Sequence, residues 1–358
     1  NMKLNNFSAG PSKIPVQVLR TIAEEINNYK DLGYSVLEIS HRSNVFEDIV
    51  NSAKSKLVRI LEIPDNYDIF FLQGGATFQN TFIPTNKRSL NNNISFLISG
   101  TWGRKTHKDF ETYFGNKISN FSINEIGFQN IDNYINELDE QFLYMTSNET
   151  IEGIQIRDFD VFKNKKLIID MSSDICSYKF DWTNLSYVYA GAQKNLGIPG
   201  VTICIVKKGF VEDSNQTSYL NINNHISKNS SFNTPPTFSI YVLLKILDWI
   251  LDSGGINEIQ KNNFMRASRV YDFLDSNKEH FNLKAAKDLR SYSNIVFDFK
   301  DSSKTEEFLN NCIKCGFIGL NGHRSVGGVR VSNYNSITDE MVSDFLTVLN
   351  DFVSQNDS

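Results

Sequence analysis

The sequence predicts an α/β fold, with a mostly parallel sheet covered by helices and a smaller α+β unit at its C-terminal end. Two observations carry this. From Asp68 onward, short β-prone runs alternate with helical patterns, as crossover helices between parallel strands require. Near residue 295 the order changes to strand, helix, strand and final helix. The expected division is a large unit over 16–254 and a small unit made of 1–15 with 255–358.

Each element has its own reading. Residues 7–15 (Phe-Ser-Ala-Gly-Pro-Ser-Lys-Ile-Pro) form an irregular lead-in rich in turn residues. Pro15 suits the first turn of a helix, with Leu19, Ile22, Ile26 and Tyr29 on its apolar face and Gly33 at its end. Asn44 with Glu47 resembles a capping box for a second helix, whose core face is Phe46, Ile49, Val50, Ala53, Leu57 and Ile60. Strands are expected at 69–72, 94–98, 142–145, 166–170, 187–190 and 201–206. Helices are expected from the Gly-Gly turn at 74–75 to about Pro84, and again after Trp102. The stretch 214–236 is polar, weakly periodic and too long for a routine connector. Helices follow at 238–251 and 256–274, with Gly254-Gly255 between them. A strand at 295–299, a helix at 305–315, a strand at 329–331 and a helix at 338–352 complete the chain.

Composition narrows the function. The chain has 358 residues, 40% hydrophobic and 22% charged, with a net charge of −5, and no basic run that suits nucleic acid. No apolar run approaches a membrane span, no secretory h-region is visible, and a cytoplasmic location is expected. Four cysteines fit a reducing compartment. Cys312 and Cys315 fall in a helical pattern without a second ligand pair, so no metal site is expected there.

The chemistry centres on residues 187–200, Tyr-Val-Tyr-Ala-Gly-Ala-Gln-Lys-Asn-Leu-Gly-Ile-Pro-Gly. A β-prone run empties into small residues, then Lys194, then a shaped Gly/Pro turn. A lysine held this way can form a Schiff base with a carbonyl cofactor; the plain alternative is a surface lysine. Upstream, the strand pattern Lys-Leu-Ile-Ile-Asp ends in Asp170. A pyridoxal phosphate enzyme needs both an acid at the pyridine nitrogen and a lysine for the aldehyde, at the carboxyl ends of strands. The Gly74-Gly75-Ala76-Thr77 junction offers helix-start amides to a phosphate, or is a common turn. Trp102 can stack on a flat ring or fill a core, and Thr150 can bind a ring oxygen or cap a turn. His41-Arg42, His323-Arg324 and Arg330 suit a substrate with a carboxylate and a phosphate, or form surface ion pairs.

Taken together, Phe-Ser-Ala-Gly-Pro at 7–11, Asn-Glu-Thr-Ile-Glu-Gly at 148–153, Ala-Gly-Ala-Gln-Lys-Asn at 190–195, Asn-Thr-Pro-Pro-Thr-Phe at 233–238 and Gly-His-Arg-Ser-Val-Gly-Gly-Val-Arg at 322–330 resemble the phosphoserine aminotransferase branch of the class V, fold type I pyridoxal phosphate enzymes. Ser40-His41-Arg42, Gly74-Gly75, Thr101-Trp102-Gly103 and Asp170 fit the same pattern, so the resemblance spans nearly the whole chain.

The resemblance implies a fold type I aminotransferase architecture and pyridoxal 5'-phosphate as cofactor. It assigns Lys194 to the aldehyde and to proton transfer at the substrate α-carbon, and Asp170 to the pyridinium nitrogen. Trp102 would stack on the ring and Thr150 would bind its hydroxyl. Ala76, Thr77, Ser172 and Gln193 would surround the phosphate, with Asn233 and Thr234 reaching it from the partner subunit of a homodimer. Thr77 departs from relatives that carry a basic residue there. Arg330 would take the substrate carboxylate, and His41, Arg42, His323 and Arg324 mainly its phosphate. The implied reaction exchanges an amino group between O-phospho-L-serine with 2-oxoglutarate and 3-phosphooxypyruvate with L-glutamate, by ping-pong kinetics, in L-serine biosynthesis. An alanine–glyoxylate aminotransferase has little use for two His-Arg pairs, and a cysteine desulfurase needs a mobile cysteine. A non-catalytic relative predicts loss of Lys194 or Asp170, and both are present.

Overall fold

The structure, a computed structural model, describes residues 4–212 and 216–356. A seven-stranded sheet organises the larger part. Its strands in chain order are β1 (Tyr67–Leu72), β2 (Ile94–Ile98), β3 (Ser119–Ser122), β4 (Phe142–Thr146), β5 (Lys166–Asp170), β6 (Leu185–Gly191) and β7 (Thr202–Lys207). In space they run β1-β7-β6-β5-β4-β2-β3. The β6-β5-β4-β2-β3 block is parallel. Strand β7 is antiparallel to both of its neighbours, so β1 points the same way as the parallel block. The C-terminal ends of β1, β2, β4, β5 and β6 therefore share one edge, and Ala76, Thr77, Trp102, Thr150, Asp170, Ser172 and Lys194 lie at or just after those ends.

Apart from the edge strand β3, the strands are largely buried on both faces, and side chains alternate between two cores. Leu97, Met145, Ile169, Val188 and Ile203 join one core with helices α1 (Val16–Glu25) and α2 (Asn44–Leu61). Phe96, Tyr144, Ile168, Tyr187 and Cys204 join the other with α3 (Gly75–Asn86) and α4 (Thr101–Phe114). The period of two that puts neighbours on opposite faces thus sorts one sheet into two cores. Helix α5 (Thr237–Asp252) is apolar nearly all round because it is buried among α1, α2 and the next helix, with Ile240, Leu243, Leu247 and Ile250 enclosed. Each such side chain contributes about 1.5–3 kcal/mol by leaving water.

The third core holds Phe7 together with residues between Ala267 and Val353. It is built on the long helix α6 (Gly255–Ser276), on α7 (Ser302–Lys314) and α8 (Asp339–Asn356), and on an antiparallel sheet of β8 (Phe281–Asn282), β9 (Asn294–Phe299) and β10 (Val329–Ser332). Asn5–Asn6 pairs in parallel with Phe317–Ile318 and so ties the N-terminal lead-in to this core.

Several expectations shift. Helix α1 ends at Glu25, and a short 3-10 turn at Tyr29–Asp31 precedes Gly33. Its buried residues are Val18 and Ile22, whereas Leu19 is 48% exposed. Ser43, not Asn44, caps α2 by accepting from the Phe46 amide. The predicted core face of α2 is buried throughout. Of the stretch 214–236, positions 214 and 215 lie outside the described residues, and the rest includes a short helix at Ile222–Ser227. Cys312 is buried and Cys315, just past the end of α7, is exposed. Among the described residues no helix is long and apolar enough to cross a membrane.

Candidate active site

Strand β5 delivers Asp170 to the shared edge, beside Tyr189 of β6. Oδ1 of Asp170 accepts from the Ser172 amide at 2.9 Å and the Ser172 hydroxyl at 2.6 Å. The other oxygen, Oδ2, is left for a further donor. The Ser172 hydroxyl also accepts from the Gly191 amide at 3.0 Å, which locks the ends of β5 and β6 together. Its single proton is committed to Asp170. Burial pushes the Asp170 carboxyl above its usual range, and the Ser172 bonds and the Lys194 charge hold it back.

Lys194 lies three residues past β6. The lead-in fixes its backbone from outside. The Ser12 hydroxyl donates to the Lys194 carbonyl, and the Ser12 amide donates to Gln193 O at 3.0 Å. Gly10 crosses directly over the lysine stem with φ +142°, and a Cβ there would lie 3.2 Å from Lys194 Cγ. Only glycine meets both demands easily. Burial pulls the Lys194 amine below the usual lysine range, opposed by the charges of Asp170 and Glu149. The amine stands 6.0 Å from the centroid of the Trp102 ring.

Trp102 is positioned by two carboxylates the sequence reading did not single out. Helix α4 begins without a side-chain cap of its own at Gly100. Glu149 accepts from the Trp102 amide at 3.0 Å and the Gly103 amide at 2.8 Å. Glu152 accepts from the Thr101 amide at 2.8 Å and its hydroxyl at 2.5 Å. A Cβ on Gly100 would fall 2.3 Å from Glu152 Oε2 and 2.7 Å from Glu149 Cγ, so the glycine leaves room for the pair. Burial, then the neighbouring Glu152 charge, pushes the Glu149 carboxyl up to about 8, against the pull of the two amide bonds. The Trp102 indole donates to the Thr150 hydroxyl at 3.1 Å, leaving that hydroxyl's own proton free to donate elsewhere. Arg330 donates to the Thr150 carbonyl at 3.0 Å and keeps a buried Nε without a partner. The sequence signal for the clamp was a Glu at i and i+3 after a strand, paired with an uncapped helix start.

Helix α3 also starts uncapped, at Gly74, where φ is +99° and a Cβ would sit 2.6 Å from the Phe78 Cβ. Ala76 and the exposed Thr77 occupy its first turn, whose amides are free for an anion. Asn233 and Thr234 are exposed, and the Thr234 carbonyl accepts from Gln73 at 3.3 Å in the same chain. His41 and Arg42 lie in the turn before α2, and His323 and Arg324 in the turn before β10, where His323 contacts the Ser325 hydroxyl at 2.7 Å. Within the described chain, the side chains of these two His-Arg pairs make no hydrogen bond to Lys194, Asp170, Trp102 or Thr150. The single chain therefore gathers Lys194, Asp170, Trp102, Thr150, Ser172 and Arg330, and leaves the other cations apart from hydrogen-bonded contact with them.

Residues 4–345 match the family Aminotransferase class-V. The chain is 39% identical to the phosphoserine aminotransferase of Lysinibacillus sphaericus (strain C3-41) over 338 residues, 93% of each chain. It superposes with a TM-score of 0.91 on the phosphoserine aminotransferase from Bacillus circulans subsp. alkalophilus, at 35% identity, covering 99% of both chains. A second structure, described as radiation damage of the Schiff base in phosphoserine aminotransferase, gives a TM-score of 0.93 at 36% identity, over 99% of this chain and 100% of that one. With a shared edge that collects Lys194 and Asp170 and a family match over nearly its full length, the chain belongs to the class-V aminotransferases.

Proposed function

We propose that the chain is a phosphoserine aminotransferase that uses pyridoxal 5'-phosphate to exchange an amino group between O-phospho-L-serine with 2-oxoglutarate and 3-phosphooxypyruvate with L-glutamate, a step of L-serine biosynthesis. The observation that carries this is the meeting of Lys194 and Asp170 at the ends of adjacent strands, under the Trp102 ring. The donor set fits the cofactor. Asp170 has one oxygen without a protein donor, the Lys194 amine faces an indole, and the Gly74 approach opens the start of α3. When bound, the cofactor supplies an electron sink for the negative charge that develops at the substrate α-carbon.

The protein's residues do the rest. Asp170 holds a proton at the ring nitrogen, and its burial makes it seek that cationic partner. Desolvation pulls the Lys194 amine below the usual lysine range, which favours the neutral form that would hold the cofactor's aldehyde and move the proton at the substrate α-carbon. Trp102, held through its amide by Glu149, covers one face of the site and excludes water. Thr150 donates to the ring hydroxyl, and Ala76, Thr77, Ser172 and Gln193 line the phosphate. Arg330, fixed to the Thr150 carbonyl, receives the substrate carboxylate. His41, Arg42, His323 and Arg324 read the substrate phosphate.

The same reading makes the enzyme a cytoplasmic homodimer in which Asn233 and Thr234 complete the partner's phosphate site; their exposure in the single chain supports it. It also takes the three cores as two domains, 16–254 and 1–15 with 255–358, the latter matching the core that unites Phe7 with Ala267 to Val353. The test is borohydride reduction of the cofactor-loaded protein followed by peptide mapping. Label on Lys194, together with amino transfer from O-phospho-L-serine to 2-oxoglutarate, is the expected result. Label on another lysine, or transfer from unphosphorylated serine or alanine at equal efficiency, overturns it.

A further inference from the structure

A second cavity, of about 720 Å³, lies between the start of α6 and the loops that follow β4 and β5. It contains none of the residues assigned above. Phe159, Tyr178 and Phe180 form one wall, with Phe180 5.7 Å from Phe159 and 6.0 Å from Tyr178 between ring centroids. Phe264 and Tyr292 form another, in an edge-to-face pair at 5.1 Å. Phe264 leaves 46% of its surface exposed at this cleft. The size suits a small organic ligand, and facing aromatic walls suit a flat one.

The charges around the cleft are unevenly committed. Lys179 pairs with Glu62 at 2.6 Å, and Lys261 reaches Glu258 at 3.7 Å. Arg157 has no carboxylate partner among the described residues. Its guanidinium carbon lies over Tyr292, 3.8 Å from the ring centroid. Among the described residues only Nη1 is used, donating to Gln155 Oε1 at 3.0 Å and to the Arg290 carbonyl at 3.1 Å. That leaves Nη2 and Nε, the edge of a fork shaped for a carboxylate. Asp158, Asp160 and Asp181 also line the cleft and disfavour a multiply charged anion.

The cleft is wired to the centre of the fold. Gln155 and the Tyr178 hydroxyl both donate to Oδ2 of buried Asp174, each at 3.1 Å. The Ser147 hydroxyl donates to the other oxygen at 2.5 Å, and the Ser147 amide donates to the Asp170 carbonyl at 3.0 Å. Arg157 therefore helps to set the Gln155 amide that supports this network from the cleft side.

We propose that this cleft is a second binding site, for a small molecule with a flat aromatic body and one carboxylate, the carboxylate seated on Arg157. The proposal stands apart from the assignment of the transamination reaction. Calorimetric titration of the cofactor-loaded protein with 2-naphthoate and indole-3-acetate tests it, with 2-naphthalenemethanol as the neutral counterpart. Both acids are expected to bind once per chain, about ten-fold or more tighter than the alcohol, as a charge-assisted bond implies. Arg157→Met should reduce the acids to the level of the alcohol. Phe264→Ser, at an exposed position that does not endanger folding, should weaken all three. Lys194→Ala and Arg42→Ala should leave binding unchanged. Absence of saturable binding by either acid, equal binding of acid and alcohol, or insensitivity to Phe264→Ser overturns the proposal. So does displacement by O-phospho-L-serine with loss in Arg42→Ala, which would place the acids in the catalytic site instead.

Discussion

Removing Glu149 should loosen the first turn of α4 and change how the protein responds to pH. Two amides, the half-buried one of Trp102 and the buried one of Gly103, rely on this carboxyl at 3.0 and 2.8 Å. Leaving a buried donor unpaired costs about 1–3 kcal/mol, so Glu149→Ala should lose roughly 2–6 kcal/mol, less whatever is recovered by no longer burying an ionisable group. Glu149→Gln keeps one carbonyl acceptor and should lose about half as much. The pH effect has the opposite sign to that of a paired surface carboxylate. Burial raises the folded carboxyl to about 8 from its ordinary 4.5, so the folded chain keeps a proton that the unfolded chain releases. That contribution is full below about 4.5 and is lost as pH rises through about 8. Urea midpoints measured from pH 6 to 9 should fall with pH in the wild type and fall less in Glu149→Gln. Equal pH slopes in the two proteins, or a Glu149→Ala midpoint indistinguishable from wild type, would refute the reasoning.

Gly100→Ala should be destabilising, since its Cβ would lie 2.7 Å from Cγ of Glu149, which is buried and held by the Trp102 and Gly103 amides, and thermal unfolding checks it. Arg42→Ala and Arg324→Ala should cut the specificity constant for O-phospho-L-serine roughly ten- to a hundred-fold, the loss of about 1.5–3 kcal/mol for a charge-assisted bond, with a smaller effect on L-glutamate; equal losses on both substrates remove these residues from the phosphate. Lys194→Ala and Thr234→Arg proteins, each nearly inactive, should regain activity when unfolded and refolded together; a mixture that stays inactive although mixed dimers form rules out the shared site.

The elements most legible in the sequence were those whose burial follows a simple period. The core face of α2 was read residue by residue because one stripe of the helix meets the core. The strand end at Asp170 was legible because an apolar run stops there at a charged residue, and the one before Lys194 because a β-prone run empties into small residues. Strand β3 was missed because its residues, Ser-Asn-Phe-Ser, sit at the sheet edge and are held by backbone pairing to β2 more than by apolar burial. The reversed direction of β7 was hidden because a period of two looks the same read either way. Leu19 was misplaced because spacing names a face without saying which neighbour of the true stripe touches the core. The Glu149–Glu152 clamp joins residues nearly fifty positions from α4, a separation at which local pattern is silent.

The pairing of Asn5–Asn6 with Phe317–Ile318 sets an order of events during synthesis. The lead-in that crosses Lys194 is synthesised before the sheet, whereas its partner strand and much of the core around Phe7 are synthesised after it. The seven-stranded sheet can form while translation continues, but the segment that clamps Lys194 cannot dock on its final support until Phe317–Ile318 have been made. A nascent chain stalled before residue 317 would therefore carry Lys194 without the strand partner that anchors its cover.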